Sequence, residues 1–111
     1  MKIQFKQSAI YESIAHACTV IPSKSTMPII RNLKLQAKDG VLTIYATDSE
    51  VELTINLKNN ITVIEEGEIL IDGSKFRIIL QEIGEGDYEL IKDNNTINIT
   101  GVGCEFSINT V

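Results

Sequence analysis

From Ile3 to Ile14 the chain reads IQFKQSAIYESI, and from Ile69 to Leu80 it reads ILIDGSKFRIIL. In both stretches apolar residues first alternate, as in a half-buried strand, and then recur at three- and four-residue spacing, as in an amphipathic helix. Adding 66 to the residue numbers of the first stretch superposes the two apolar patterns. The matched pairs are Ile3 with Ile69, Phe5 with Ile71, Ser8 with Ser74, Ile10 with Phe76, and Ile14 with Leu80. We therefore predict that a strand followed by a helix occurs twice.

Alternating apolar residues also follow each helix, and they predict three further strands in each half of the chain. The alternating positions are Leu33 and Leu35, Leu42 and Ile44, and Val51 and Leu53, then Tyr88 and Leu90, Ile97 and Ile99, and Phe106 and Ile108. Adding 55 to the first set gives the second. The offset falls from 66 to 55 because the second half has about eleven residues fewer between its helix and its next strand. Residues 21–30 have no counterpart there and are predicted to form an inserted loop.

These patterns predict an α+β fold with a duplicated strand-helix-strand-strand-strand unit, at about residues 1–60 and 66–111. Two helices would pack on antiparallel sheets, and the two units would share one core about a pseudo-two-fold axis. A chain of 111 residues that is 43% hydrophobic is long enough for one such domain and too short for two. We predict that Ser8 caps the first helix, which ends near Pro22, and that the second helix spans Ser74 to Ile83.

The composition of the chain restricts the classes of protein to which it can belong. With 15 acidic and 10 basic side chains the net charge is -5, so any nucleic-acid contact must be local. No apolar run approaches the roughly 18 residues of a membrane span, and we predict a soluble, cytoplasmic protein with no membrane partner. Cys18 and Cys104 are far apart and form no CxxC pair, so we expect two buried thiols and neither a disulfide nor a zinc site.

The residue pattern predicts no catalytic site, no metal and no cofactor. His16 is the only histidine and lies on the polar face of the first predicted helix, where a solvated side chain is the usual role. Asp48 and Glu50 have the spacing of a carboxylate pair on one face of a sheet, but a tight turn shaped by Thr47, Asp48 and Ser49 is the simpler interpretation. Gly101 to Gly103 likewise marks a turn, because it precedes a strand and no helix.

Two segments carry a resemblance to a known family. They are Thr26-Met27-Pro28-Ile29-Ile30-Arg31-Asn32 and Ala46-Thr47-Asp48-Ser49-Glu50, and their order and separation are fairly specific. With the start at Met1 and the end around Phe106, the chain resembles the N-terminal domain of the bacterial DNA polymerase III beta subunit, the sliding clamp, along essentially its whole length. That family's DNA-clamp domain has the same duplicated plan as the one predicted from periodicity.

The resemblance implies a non-catalytic replication protein. A complete clamp carries three such domains, closes as a head-to-tail homodimer around duplex DNA, slides on the phosphates and tethers the polymerase. The implied partners are therefore duplex DNA, DNA polymerase, the clamp loader and a second clamp subunit. A stand-alone interaction or regulatory protein that pairs with a clamp edge is the alternative, and continuation of the native gene past Val111 would separate the two. A small enzyme is disfavoured by the lack of a nucleophile motif.

The resemblance also implies where DNA would be contacted. Lys24 occupies a loop position where the family commonly has a basic residue facing DNA. Ser74 stands where a basic residue is frequent, and Lys75 and Arg77 follow it at the start of the second helix, where exposed amides also favour phosphate. The alternative is that these four residues are ordinary surface side chains with no role in DNA contact. With few basic groups, the domain alone is expected to bind DNA weakly.

A second implied site is the seam between two subunits, with Lys75, Phe106 and Ile108 as the candidate residues. Glu105 departs from the family pattern, which often has a basic residue at that position. Burial of Phe106 and Ile108 in the core of the domain itself remains an equal alternative. The edge strands of the sheets are expected to seek partners.

Overall fold

The structure, a computed structural model, describes residues 1–21, 32–48 and 50–109. The elements in chain order are β1 (Lys2–Lys6), α1 (Gln7–Ala17), β2 (Asn32–Lys38), β3 (Val41–Thr47), β4 (Glu52–Leu57), β5 (Ile61–Glu65), β6 (Gly67–Asp72), α2 (Gly73–Ile83), β7 (Asp87–Asp93), β8 (Thr96–Gly101) and β9 (Cys104–Asn109). The predicted α+β fold with its duplicated strand-helix-strand-strand-strand unit is confirmed. None of the described helices is long and apolar enough to cross a membrane.

The strands form two antiparallel sheets, one with the order β5-β1-β7-β8-β9 and one with the order β4-β3-β2-β6. The two repeated units exchange their first strands. In one sheet β1 pairs with β7 through Phe5 and Tyr88, and in the other β6 pairs with β2 through Ile71 and Leu33. Each sheet therefore combines strands of both units, an exchange that the repeat pattern did not specify. Alternation tells which face of a strand is buried, but it carries no information about the neighbouring strand.

One hydrophobic core lies between the sheets and the helices. Its fully buried side chains include Ile10 and Ile14 of α1 and Phe76 and Leu80 of α2, and the two helices contact each other. Burial of a side chain of this size contributes about 1.5–3 kcal/mol. Among the residues that the structure describes, Gln7 is the buried polar one, at 6% exposure, and its Nε2 donates a hydrogen bond of 2.7 Å to the Leu80 carbonyl. This bond ties the start of α1 to the last turn of α2.

The first helix differs from the prediction at both ends. It begins at Gln7 with Lys6 as the N-cap, and no side chain caps it, so the predicted Ser8 cap is wrong. The Gln7 amide instead donates to the Gly86 carbonyl at 2.9 Å, which satisfies one of the free amides at the helix start. The helix ends at Ala17, before the expected Pro22, which lies outside the described residues.

The second helix begins one residue earlier than predicted. It starts at Gly73, and the Oδ1 atom of the N-cap residue Asp72 accepts a hydrogen bond of 3.0 Å from the Lys75 amide. A Cβ atom at Gly73 would lie 2.7 Å from the Cδ1 atom of Ile21, so glycine lets the end of the first helical segment approach this start closely. The two helices thus begin immediately after their strands, β1 and β6.

The sequence pattern did not predict β5. This strand pairs with the outer side of β1, where Ile61 lies opposite Phe5, and Ile61 is buried. Only five residues long, β5 offers too few alternating positions for a clear period.

The equivalence of the last strand in each unit also needs correction. β3 pairs with β4 through Ile44 and Ile55, and β8 pairs with β9 through Ile99 and Phe106. Since Ile44 and Ile99 match at the 55-residue offset, the counterpart of Phe106 is Ile55 and not Val51, which is 52% exposed. The connection after β3 is longer than the one after β8, which shifts the register. The correct matches are Ile55 with Phe106 and Leu57 with Ile108.

Candidate nucleic-acid interface and sheet edges

Three of the four predicted DNA-contacting residues lie together at the start of α2. Ser74, Lys75 and Arg77 are all exposed within its first turns. Lys24, the fourth, lies outside the described residues. The N-cap carboxylate of Asp72 already accepts the Lys75 amide and places a negative charge at this helix end. Because a phosphate would have to approach beside that carboxylate, the site favours weak contacts made by the two basic side chains.

The exposed faces of the two helices carry almost no excess of charge. On α2 the basic Lys75 and Arg77 accompany an exposed Glu82, and on α1 an exposed Glu12 lies near the exposed His16. Two basic side chains are thus balanced by two acidic ones when histidine is neutral. Tight binding to the phosphate backbone requires several uncompensated cations, so this surface cannot hold DNA firmly by itself.

Cys18 joins the end of α1 to the start of α2. Its Sγ donates a hydrogen bond of 3.3 Å to the Gly73 carbonyl. Burial raises the pKa of the Cys18 thiol, an effect that the positive charge of Arg77 opposes and the negative charge of Asp72 reinforces. The thiol is therefore protonated at neutral pH. Both Cys18 and Cys104 are free and partly exposed, so the expectation of two fully buried thiols is wrong.

The seam candidates lie on two different elements. Phe106 and Ile108 both lie on the inner side of β9. Ile108 is 7% exposed and belongs to the core, whereas Phe106 is only half-buried. Lys75 is on the first turn of α2. Burial in the domain's own core is thus the main role of Ile108, whereas Phe106 keeps apolar surface available at an edge strand. Glu105 is exposed on the outer side of the same strand.

The opposite sheet has an equivalent edge, β4, that the sequence did not single out. Leu53, Ile55 and Leu57 lie on its inner side and are half-buried, packed against the core. With the corrected register, β4 and β9 are counterparts in the two units. The alternating pattern of Leu53, Ile55 and Leu57 was present in the sequence. Matching Val51 with Phe106 assigned the wrong counterparts to these residues.

A third edge, β6, is protected. The Nζ of Lys92 on β7 donates a hydrogen bond of 3.3 Å to the Glu68 carbonyl of β6. Lys34 Nζ also lies 3.2 Å from the Glu68 carboxylate. A lysine over an edge strand occupies backbone groups that would otherwise recruit another strand. Of the edges β4, β6 and β9, the first and the last are therefore the better candidates for contacts with other protein.

The Asp48 side chain bonds the backbone that follows it, as predicted for a turn, and Ser49 lies outside the described residues. The Oδ1 atom of Asp48 accepts hydrogen bonds from the amides of Glu50, at 2.9 Å, and Val51, at 2.7 Å. These bonds, the one from Val51 most of all, lower the pKa of the Asp48 carboxyl. Among residues 1–21, 32–48 and 50–109, no group of three or more histidine, cysteine or carboxylate side chains is arranged to hold a metal ion.

Residues of β1, β5, β7 and β8 and of their connections line an open depression of about 660 Å³ at the five-stranded sheet. Tyr88 is one of its lining residues. The Tyr88 hydroxyl donates a hydrogen bond of 2.6 Å to the Ile83 carbonyl at the end of α2. A Cβ atom at Gly101 would lie 2.4 Å from the Tyr88 ring, so this glycine allows the ring to pack flat on β8. The close approach of Gly101 and Tyr88 thus shapes one side of the depression.

Relatives of this chain are sliding clamps. It matches the family described as DNA polymerase III beta subunit, N-terminal domain, over residues 1–111. It is similar to the beta sliding clamp of Rickettsia bellii, with 24% identity over 112 residues, 100% of this chain and 29% of that protein. The beta sliding clamp of Streptomyces coelicolor is also 24% identical, over 111 residues that cover 100% of this chain and 29% of the relative. The chain thus spans less than a third of these curated relatives.

Solved structures show the same fold. The DNA polymerase sliding clamp from Bacillus subtilis superposes with a TM-score of 0.93 at 21% identity, covering 100% of this chain and 31% of that one. Caulobacter crescentus pol III beta gives 0.91 at 22% identity, covering 100% and 30%. The Helicobacter pylori beta clamp bound to a DNA ligase peptide gives 0.90 at 19% identity, covering 100% and 30%. The fold and the family match over all 111 residues agree, and the chain belongs to the DNA polymerase III beta subunit family, in which it corresponds to the N-terminal domain.

Proposed function

We propose that this chain acts as a non-catalytic domain of a replication sliding clamp, a processivity factor that encircles duplex DNA and tethers the replicative polymerase in the cytoplasm. The observation that carries the proposal is the family match over residues 1–111. Residues 1–111 would form one domain, with its internal repeat at about 1–60 and 66–111. No feature of the described residues or of the matched relatives favours a stand-alone regulatory protein.

The electrostatics of the helix faces support sliding rather than fixed binding. A clamp holds DNA by topology, so its contacts with phosphate must be weak enough to break at every step. The balanced charges on α1 and α2 meet this requirement, with Lys75, Arg77, Ser74 and the loop residue Lys24 as the proposed points of contact. None of these residues is expected to distinguish one base sequence from another, because contacts with phosphate carry no sequence information.

The protein partners follow from the family. We propose that a complete ring is a homodimer with β9 at its seam, where the half-buried Phe106, with Ile108 behind it and Lys75 on α2, meets the second subunit. The Helicobacter pylori relative binds a DNA ligase peptide, and peptides of DNA polymerase and of the clamp loader are the partners proposed for the full-length form of this protein.

Topological retention on DNA tests the proposal. In a chimaera, residues 1–111 replace the matching domain of the Bacillus subtilis sliding clamp, and the loaded ring is followed on a circular plasmid before and after a single cut. We expect retention on the circle and rapid loss after linearisation, because a ring slides off a free end. A folded chimaera that stays equally well on both forms binds by contact and not by encirclement. One that never stays on the circle does not form a ring, and either result contradicts the proposal.

A further inference from the structure

We propose that Ile78, in the middle of α2, contacts the apolar deoxyribose edge of duplex DNA between two phosphates, and so supplies a part of the contact that salt does not weaken. The inference rests on the proposed function, because it requires the exposed face of α2 to lie against DNA. It adds to that function a contact residue whose chemistry differs from that of the basic side chains.

Ile78 is an exposed apolar residue on a helix face that is otherwise polar. Its side chain is 58% exposed, whereas Phe76 and Leu80, on the inner side of α2, are fully buried. Isoleucine is also a poorer helix former than lysine, glutamine or glutamate, because its branched side chain loses rotamer freedom against the preceding turn. Neither burial within the domain nor helix propensity therefore explains an isoleucine at this position.

The internal repeat shows that the fold does not require an apolar residue here. At the 66-residue offset Ile78 corresponds to Glu12, which is exposed on α1. One turn earlier the two helices agree, because Ser74 corresponds to Ser8 and both residues are exposed. The equivalent position of the other helix thus carries a charge, and the exposed apolar side chain is a property of α2 alone.

The neighbours of Ile78 on the helix surface include two of the proposed phosphate contacts. Residues three and four positions apart lie next to each other on a helix, with about 5–6 Å between their Cβ atoms. Ile78 is therefore adjacent to Lys75 and Ser74 towards the start of α2. Towards its end, Gln81 and Glu82 are adjacent, and all four neighbours are exposed. A DNA strand whose phosphates reach Lys75 and Ser74 thus passes over Ile78.

The isolation of Ile78 favours DNA over a protein as the partner. An apolar patch that docks another protein usually covers several hundred Å², whereas the four exposed neighbours of Ile78 are polar or charged. Along a DNA strand the carbon atoms of deoxyribose separate the charged phosphates. One apolar side chain beside a lysine and a serine matches that alternation of charged and apolar groups.

The two kinds of contact respond differently to salt. A cation that binds phosphate releases counterions, so this contact weakens as the salt concentration rises. Burial of an apolar side chain releases no counterion. Loss of the Lys75 charge should therefore reduce the slope of log affinity against log salt by roughly one. Loss of the Ile78 side chain should lower the affinity by the same factor at every salt concentration and leave the slope unchanged.

Point variants of the chain separate the two contributions. Ile78→Ala removes apolar surface and retains the helix, because alanine is the best helix former, and we expect affinity for duplex DNA to fall roughly threefold. Ile78→Leu presents a similar apolar surface and should bind as the wild type does. Ile64→Ala is the matched control, since Ile64 is 46% exposed on β5, and it should change nothing. Lys75→Gln reports the ionic part of the contact.

Titration with a short duplex at several salt concentrations measures these affinities, with isoleucine δ1 methyl resonances followed by NMR because binding is weak. Far-ultraviolet circular dichroism checks that each variant is folded. We expect the Ile78 methyl resonance to shift on addition of DNA and the Ile64 resonance to stay in place.

The outcomes distinguish this inference from the proposed function. If Lys75→Gln lowers the affinity and the slope but Ile78→Ala binds as the wild type does, or changes the slope, α2 still faces DNA and the inference about Ile78 is overturned. If neither substitution affects binding, α2 does not face DNA, and the proposed contact fails together with the inference. If Ile78→Ala leaves DNA binding unchanged and weakens self-association, Ile78 belongs to a protein contact, which also overturns the inference.

Discussion

Replacement of Gln7 by leucine tests how the two helices are held together. The Gln7 side chain is buried, and its Nε2 donates to the Leu80 carbonyl at 2.7 Å. Leucine has a similar volume and keeps the packing, but it removes the donor and leaves a buried carbonyl with one bond fewer. Loss of such a bond costs about 1–2 kcal/mol of unfolding free energy. For a chain of this size each kilocalorie corresponds to roughly 4 °C, so we expect the melting temperature to fall by about 4–8 °C.

Urea and thermal denaturation followed by circular dichroism measure the change. Gln81→Leu is the matched control, because Gln81 is an exposed residue of α2 and the same substitution there should stay within about 0.5 kcal/mol of the wild type. If Gln7→Leu is as stable as Gln81→Leu, the hydrogen bond between the helices contributes nothing to stability and the reasoning is wrong. Similar destabilisation by both variants would instead indicate a general effect of added apolar surface.

Three further outcomes are expected. Gly101→Ala should destabilise the fold by about 1–3 kcal/mol in urea denaturation, because its methyl group would press into the Tyr88 ring; a neutral effect would contradict that close packing. The folded-state pKa of Asp48 is lowered from 3.8, so its stabilising effect is present above that pH and disappears as the pH falls through the lower folded value. Asp48→Asn should flatten the acid limb of a stability–pH curve, and an unchanged curve would argue against the turn bonds. Lys75→Glu combined with Arg77→Glu should weaken the already weak, salt-sensitive binding of duplex DNA measured by fluorescence anisotropy, while tight, sequence-selective binding by the parent chain would be inconsistent with sliding.

The elements with a long, regular pattern were predictable because burial of one face leaves a period in the sequence. Both helices and the strands around Leu35, Ile44 and Ile99 follow from that period alone. The β5 strand was not predictable, since five residues ending in a glutamate give little periodic signal. The start of α1 was also misplaced, because its first amide is satisfied by the distant Gly86 carbonyl and not by a local cap.

The candidate site also has features that the sequence predicts and features that depend on the tertiary structure. Exposure of Lys75 and Arg77 follows from their place on the polar face of a predicted helix, as the structure confirms. The carboxylate cap at Asp72, which limits how strongly this helix start can attract phosphate, depends on the helix beginning at Gly73. The half-exposed apolar side of β4 could not be identified until the strand order showed that β4 is an edge.

The sequence by itself determined the class of fold, the twofold repetition of its unit and the faces that enter the core, because these depend on local periodicity. Only the tertiary structure decided that the units exchange β1 and β6, that Ile55 is the true counterpart of Phe106, and which edges remain open. Pairing between strands is a choice among partners that are distant in the chain and similar in pattern. It is settled by how all the buried faces fit together at once, and no single segment contains that information.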